Sequence, residues 1–131
     1  MLIGPLAQRQ ILIVDADVDL AFAARQMWAR RVGSAVVLPP EGNPGIITER
    51  DPLHAVADGG DPRTTPVSSY MTSDAVAVTA SWEVVDAART MVERGFRHLI
   101  VKDHDGEVTG IVSIRDMVAA LVEERQRMLA G

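Results

Sequence analysis

Hydrophobic residues along the chain alternate between short β-branched runs and stretches with helical spacing. The apolar positions at helical spacing are Leu20, Ala23, Ala24, Met27 and Trp28, then Val84, Ala87, Ala88, Met91 and Val92. Strands are predicted at 11–14, 35–38, 45–48, 75–79, 99–101 and 108–113, with further helices near 51–56 and 116–128. Asp17 and Ser81 are expected to cap the two earlier helices, and Gly33 and Gly95 to end them. The pattern predicts two βαββα units in succession.

The two halves of the chain also match residue by residue. A shift of 64 positions places Ala23-Ala24-Arg25 on Ala87-Ala88-Arg89. After a one-residue gap, Arg50-Asp51 falls on Arg115-Asp116. Matches that keep their order with one gap indicate an internal duplication.

Composition places a linker between the repeats. We assign residues 8–59 to the first repeat, 60–69 to a linker rich in Pro, Thr and Ser, and 70–131 to the second repeat. A unit of about 55 residues has too small a core to be stable alone. We therefore expect an α+β fold in which the two βαββα repeats pack about a pseudo-twofold axis.

Charge and composition exclude several classes of function. The chain has 131 residues, a net charge of −5 and no cysteine, which argues against nucleic-acid binding, disulfides and thiolate metal sites. No apolar run reaches the roughly 20 residues of a membrane span, and polar residues interrupt the apolar N-terminus before a signal-peptide core can form. We expect a soluble, cytoplasmic protein.

Several motifs resemble those of the cystathionine-β-synthase (CBS) domain pair, also called the Bateman module. The motifs are Tyr70-Met71-Thr72, Arg97-His98-Leu99-Ile100-Val101, Gly110-Ile111-Val112-Ser113-Ile114-Arg115-Asp116 and its earlier counterpart Gly45-Ile46-Ile47-Thr48-Glu49-Arg50-Asp51. The resemblance covers nearly the whole chain. It implies a regulatory role, adenosine-containing ligands held in clefts between the repeats, and pairing into a dimer.

The motif Gly-apolar-apolar-Ser/Thr-x-x-Asp suits a nucleotide in its own right. Its hydroxyl lies where a strand leads into a helix, and helix N-termini favour phosphates. The resemblance implies that Asp116 and Asp51 hold a ribose, with Ser113 and Thr48 near the phosphates. The arginines between them, Arg115 and Arg50, can supply charge to phosphates.

The same spacing also fits a capping box, in which both side chains satisfy helix N–H groups and bind nothing. Pro52 follows Asp51, so Asp51 could instead cap a helix that starts later. We therefore favour the second-repeat site over the first.

Arg97 and His98 are further candidates for contacting phosphates, as the resemblance implies for a basic pair at this place. The alternative is that neither residue contacts a ligand: Arg97 would be a solvated charge at a strand edge, and His98 a partly buried polar residue. The first repeat has Gly33 and Ser34 there, so the phosphate ends differ. Thr79 is a candidate for the base pocket, and Asp15 replaces it in the first repeat.

Neither a metal site nor a catalytic site is predicted. His54, His98 and His104 lack ligand spacing, and no nucleophile–base set is recognisable. We expect no required cofactor. The predicted function is that of a stand-alone CBS pair that senses AMP, ADP, ATP or a related adenosyl ligand and signals through dimer geometry or an unidentified protein partner. The alternative is a ligand-free dimerisation module. Apolar helix faces around Met27, Trp28, Met91 and Val92 predict a homodimer.

Overall fold

A computed structural model describes residues 1–7 and 11–130, which form two compact units. The first unit contains residues 11–75, and the second contains residues 76–130 together with residues 1–7. Each unit has one three-stranded sheet and two helices in the order βαββα. The predicted α+β class and the tandem repeat are confirmed. Position 8, where we began the first repeat, and Gly131 lie outside the described residues, and the predicted repeat boundaries stay predictions.

The first unit is built on strands β1 (Ile13–Asp15), β2 (Ser34–Leu38) and β3 (Gly45–Thr48). β1 pairs parallel with β2, and β2 pairs antiparallel with β3. Helix α1 (Leu20–Arg30) makes the β1-to-β2 crossover, and α2 (Arg50–Ala57) follows β3. Four of the five β2 residues are buried, as expected for a continuous apolar run in a central strand.

The second unit repeats this arrangement. Strands β4 (Ala77–Thr79) and β5 (His98–Lys102) pair parallel, and β6 (Val108–Ser113) pairs antiparallel with β5. Helix α3 (Val84–Arg94) connects β4 to β5, and the longer α4 (Ile114–Ala130) follows β6. No described helix is long and apolar enough to cross a membrane.

Three of the four predicted helix ends in the earlier helices are wrong. The N-cap of α1 is Asp19, whose carboxylate accepts a 2.7 Å bond from the Phe22 N–H, so Asp17 lies too early. Glu83 precedes α3, while the Ser81 hydroxyl is paired with that of Thr79 at 2.9 Å. α1 ends at Arg31 in a left-handed conformation (φ 53°) rather than at Gly33. Gly95 ends α3 as predicted, with φ 76°.

In each unit, one buried residue from a short segment outside the βαββα elements completes the core; we call these segments, around Ile3 and Val67, the arms. Ile3, which precedes a 3₁₀ turn at Gly4–Leu6, is fully buried in the second unit, and its N–H donates to the Trp82 carbonyl at 2.9 Å. Val67, 64 positions later, is fully buried in the first unit, and its N–H donates to the Val18 carbonyl at 2.8 Å. Each arm therefore precedes one repeat in sequence and fills the core of the other.

The chain after the Val67 arm also closes the free edge of β3. Ile46 and Thr72 exchange two backbone hydrogen bonds, of 3.0 and 2.9 Å. A Cβ on Gly45 would lie 2.6 Å from the Thr72 carbonyl oxygen, so this approach requires glycine.

Candidate functional site

Strand pairing brings the second-repeat candidates together at one end of the sheet. β6 ends at Ser113, which lies opposite His98 in the antiparallel register, and α4 begins at the next residue. The Ile114 N–H donates a 2.8 Å bond to the Arg97 carbonyl. We call Arg97, His98, Ser113, Arg115 and Asp116 the second-unit candidate site.

Ser113 and Asp116 form a reciprocal capping box. The Ser113 N–H donates to Asp116 Oδ2 at 3.1 Å, and the Asp116 N–H donates to Ser113 Oγ at 3.1 Å. The capping alternative is therefore present in the folded chain. Within the described residues Asp116 Oδ1 accepts no hydrogen bond, so one carboxylate oxygen is open to a ligand.

Two guanidinium groups accompany this capping box. Arg97 and Arg115 are exposed, and in the described part of the chain neither side chain makes a hydrogen bond or ion pair. His98 is half-buried at the start of β5. The positive end of the α4 dipole adds to these charges, so this end of the second unit favours anions.

The first repeat places its motif in a similar way. The Thr48 N–H donates to Asp51 Oδ2 at 2.7 Å, and the Arg50 N–H donates to Thr48 Oγ1 at 3.3 Å. The interpretation that Asp51 caps a helix starting later is wrong, because α2 begins at Arg50 and Asp51 lies in its first turn. Pro52 fits there because the first N–H groups of a helix have no intrahelical acceptor.

The environment of Asp51 changes its titration. Desolvation by burial raises the pKa of Asp51 above its ordinary value of 3.8. The Thr48 N–H and the charge of His54 act in the opposite direction and lower the pKa, but burial outweighs them. The ionised form of Asp51 is therefore less favourable in free energy than that of an exposed aspartate.

The first-unit candidate site consists of Gly33, Ser34, Thr48, Arg50 and Asp51. Ser34 lies opposite Thr48 in the register and is 8% exposed. The Glu49 N–H donates to the Gly33 carbonyl at 3.2 Å, and the Glu49 carboxylate lies over Gly33. The sequence analysis missed Glu49, because only the strand pairing brings it beside Gly33.

Thr79 does not join the other second-repeat candidates within its unit. It ends β4 opposite Lys102, four residues along β5 from His98, a separation of about 13 Å at 3.3 Å per residue. Its hydroxyl pairs with that of Ser81.

Asp15, the counterpart of Thr79, lines a cleft of about 470 Å³ in the first unit that the sequence analysis also missed. The remaining lining residues are Ala16, Asp17, Leu38, Pro39, Pro40 and Ser68. The one available sequence signal for this cleft was the pair Pro39-Pro40 directly after a buried strand, because two consecutive prolines end the strand and line the cleft.

The histidines lie in separate surroundings. His54 stacks edge-on to Tyr70 at 5.0 Å and lies 3.4 Å from an Asp58 carboxylate oxygen. His104 is exposed beside Asp105. Among residues 1–7 and 11–130, no three His, Asp or Glu side chains are grouped as metal ligands.

Comparisons with known proteins agree with this architecture. The family model for the CBS domain matches residues 67–123. An uncharacterised 17.7 kDa protein of Acidianus ambivalens is 38% identical over 122 residues, which are 92% of this chain and 73% of that protein.

Two solved structures extend the similarity to both repeats. A CBS-domain-containing protein of Agrobacterium tumefaciens is 32% identical, with a TM-score of 0.81 over 91% of this chain and 92% of that one. A CBS-domain protein of Pyrobaculum aerophilum, complexed with AMP, is 28% identical, with a TM-score of 0.78 over 88% of this chain and 89% of that one.

Proposed function

The chain belongs to the CBS-domain family, and from this premise we propose that it is a regulatory module that binds an adenine nucleotide at the second-unit candidate site. The observation that carries the proposal is the pair of exposed guanidinium groups, Arg97 and Arg115, which have no side-chain partner among the described residues and lie beside the first turn of α4. Arginine recognises phosphate oxygens through two parallel N–H bonds, and a helix N-terminus adds to that attraction.

Asp116 supplies the complementary half of the site. Its Oδ2 is held by the Ser113 N–H, which fixes the carboxylate, and its open Oδ1 can accept a hydrogen bond from a ribose hydroxyl. A phosphate and a ribose are adjacent in every nucleotide, so an anion-binding group and an acceptor near one helix start suit such a ligand. The AMP complex of the Pyrobaculum aerophilum protein supports adenine as the base.

A ligand-free dimerisation module is the second candidate. The capping box is satisfied within the unit, and Trp28 and Val92 are 83% and 75% exposed. Met27 and Met91 do not contribute to the exposed apolar faces from which we predicted a dimer, since they are buried in the cores of their own units. A homodimer through the exposed residues is compatible with either candidate.

Thermal shift separates the two candidates. With ligand at about 100 times Kd, binding stabilises the protein by roughly 2.7 kcal/mol, a rise of several degrees in Tm. We expect that rise with AMP, ADP or ATP, and we expect Arg97→Gln to lose most of it while the unliganded Tm stays unchanged. Arg125→Gln is the matched control, because Arg125 is exposed on α4 about 15 Å along the helix axis from Arg115. If no adenine nucleotide shifts the wild type at millimolar concentration, the ligand-free module is correct.

A further inference from the structure

The two candidate sites carry opposite charge at equivalent positions. We infer that the chain binds one phosphate-bearing ligand tightly, at the second-unit candidate site, and that Glu49 weakens phosphate binding at the first-unit candidate site. This inference rests on the proposed function and adds to it the number of ligands bound and the residue that selects between the sites.

Backbone geometry establishes that the positions correspond. Ser34 lies opposite Thr48 as His98 lies opposite Ser113. The Glu49 N–H donates to the Gly33 carbonyl, just as the Ile114 N–H donates to the Arg97 carbonyl. Glu49 therefore occupies the place of Ile114, and Gly33 the place of Arg97.

The exchange changes the charge presented to a ligand. Arg115 has a counterpart in Arg50, and Asp116 in Asp51, so these residues do not distinguish the sites. The second unit adds the cation Arg97, whereas the first unit adds the anion Glu49. The first site thus has an excess of negative charge and the second an excess of positive charge.

The position of the Glu49 side chain makes this difference local. A Cβ built on Gly33 would lie 3.7 Å from Glu49 Oε2 and 4.0 Å from Oε1. The carboxylate therefore lies beside the position that a side chain at Gly33, the counterpart of Arg97, would occupy. A phosphate approaching the start of α2 meets a like charge there, and repulsion between exposed charges weakens binding by about fivefold.

The same geometry permits a reciprocal transplant. The contacts around a Cβ at Gly33 are ordinary van der Waals distances, and the backbone of Gly33 is not in the left-handed region. The Cβ of an arginine is therefore sterically allowed at this exposed position. Gly33→Arg combined with Glu49→Gln gives the first unit the charges of the second, and Glu49→Gln alone removes only the repulsion.

Isothermal titration calorimetry with ADP measures the outcome directly. We expect one tight equivalent of ADP per wild-type chain and loss of that equivalent in Arg97→Gly. In the double variant we expect the weak binding at the first-unit candidate site to tighten about tenfold or more and so to give a second equivalent. Glu49→Gln alone should tighten the second equivalent by about fivefold. Glu41→Gln removes the same charge from the loop at the far end of β2, and it should leave binding at one equivalent.

Each other result has one meaning. Two equivalents of similar affinity in the wild type would overturn the inference and leave the proposed function intact. A double variant that melts like the wild type but stays at one equivalent would also overturn the inference. Absence of binding of AMP, ADP and ATP alike to the wild type would refute the proposed function and the inference with it.

Discussion

Asp116→Ala removes a helix-capping group and the proposed ligand contact in one step, and the two losses can be measured separately. In the unliganded protein the substitution breaks the bond from the Ser113 N–H to Asp116 Oδ2, while the backbone N–H of residue 116 can still donate to Ser113 Oγ. Loss of a cap of this kind costs about 0.5–2 kcal/mol of unfolding free energy. For a chain of 131 residues, 1 kcal/mol corresponds to a Tm change of about 3–5 °C.

Urea denaturation with and without saturating ADP separates the loss of stability from the loss of ligand binding. If Oδ1 accepts a ribose hydroxyl, the charged hydrogen bond contributes roughly 1.5–3 kcal/mol to binding. Affinity then falls about ten- to a hundredfold in Asp116→Ala, and most of the roughly 2.7 kcal/mol that ligand adds to the wild type is lost.

Ser113→Ala and Asp116→Asn are the matched controls. Ser113→Ala removes the hydroxyl that accepts the Asp116 N–H, but it leaves the carboxylate in place. Asp116→Asn retains an oxygen to accept the Ser113 N–H and removes the charge. We expect Ser113→Ala to lose mainly stability and Asp116→Asn to lose mainly the ligand increment. A full ligand increment in Asp116→Ala would show that Asp116 only caps α4.

Three further predictions concern the arm, Asp51 and assembly. Ile3→Ala should lower the unfolding free energy, measured by urea titration, by about 2–5 kcal/mol, because Ile3 is fully buried. Leu2 is exposed, so Leu2→Ala should leave that free energy nearly unchanged, and equal effects of the two substitutions would show that the arm is not docked. Because burial raises the pKa of folded Asp51, its contribution to stability is complete below the unfolded value of 3.8 and is lost as pH rises through the folded pKa. Asp51→Asn should therefore gain stability relative to the wild type between pH 3.5 and 7, and a constant difference across urea titrations in that range would contradict the assignment. Trp28→Glu should convert a wild-type dimer into monomers in sedimentation experiments, and a wild type that is monomeric at high micromolar concentration would exclude this interface.

Periodicity predicted the elements well where hydrophobic residues repeat regularly. The helix beginning at Leu20 and the buried strand ending at Leu38 emerged within a residue or two. Helix ends were harder, because Asp17 and Asp19 are chemically identical candidates and only the Phe22 N–H selects between them. Arg31 in a left-handed conformation carries no sequence signal at all.

The candidate site was predictable in its local motif and unpredictable in its contacts across strands. Ser113 and Asp116 are three residues apart, and the sequence spacing already contained both the capping and the ligand interpretation. The approach of Glu49 to Gly33 depends on the β2–β3 register, which local sequence does not reveal. The arms were missed because neither Ile3, in the short apolar N-terminus, nor Val67, at the start of a 3₁₀ turn, belongs to a periodic pattern.

The exchanged arms mean that neither half of this gene encodes a finished core. A break in the stretch 60–65 would leave one fragment carrying Ile3, which the other fragment needs, and the second fragment carrying Val67, which the first needs. Each fragment would therefore complete its hydrophobic core only by associating with the other fragment, which carries the missing arm residue.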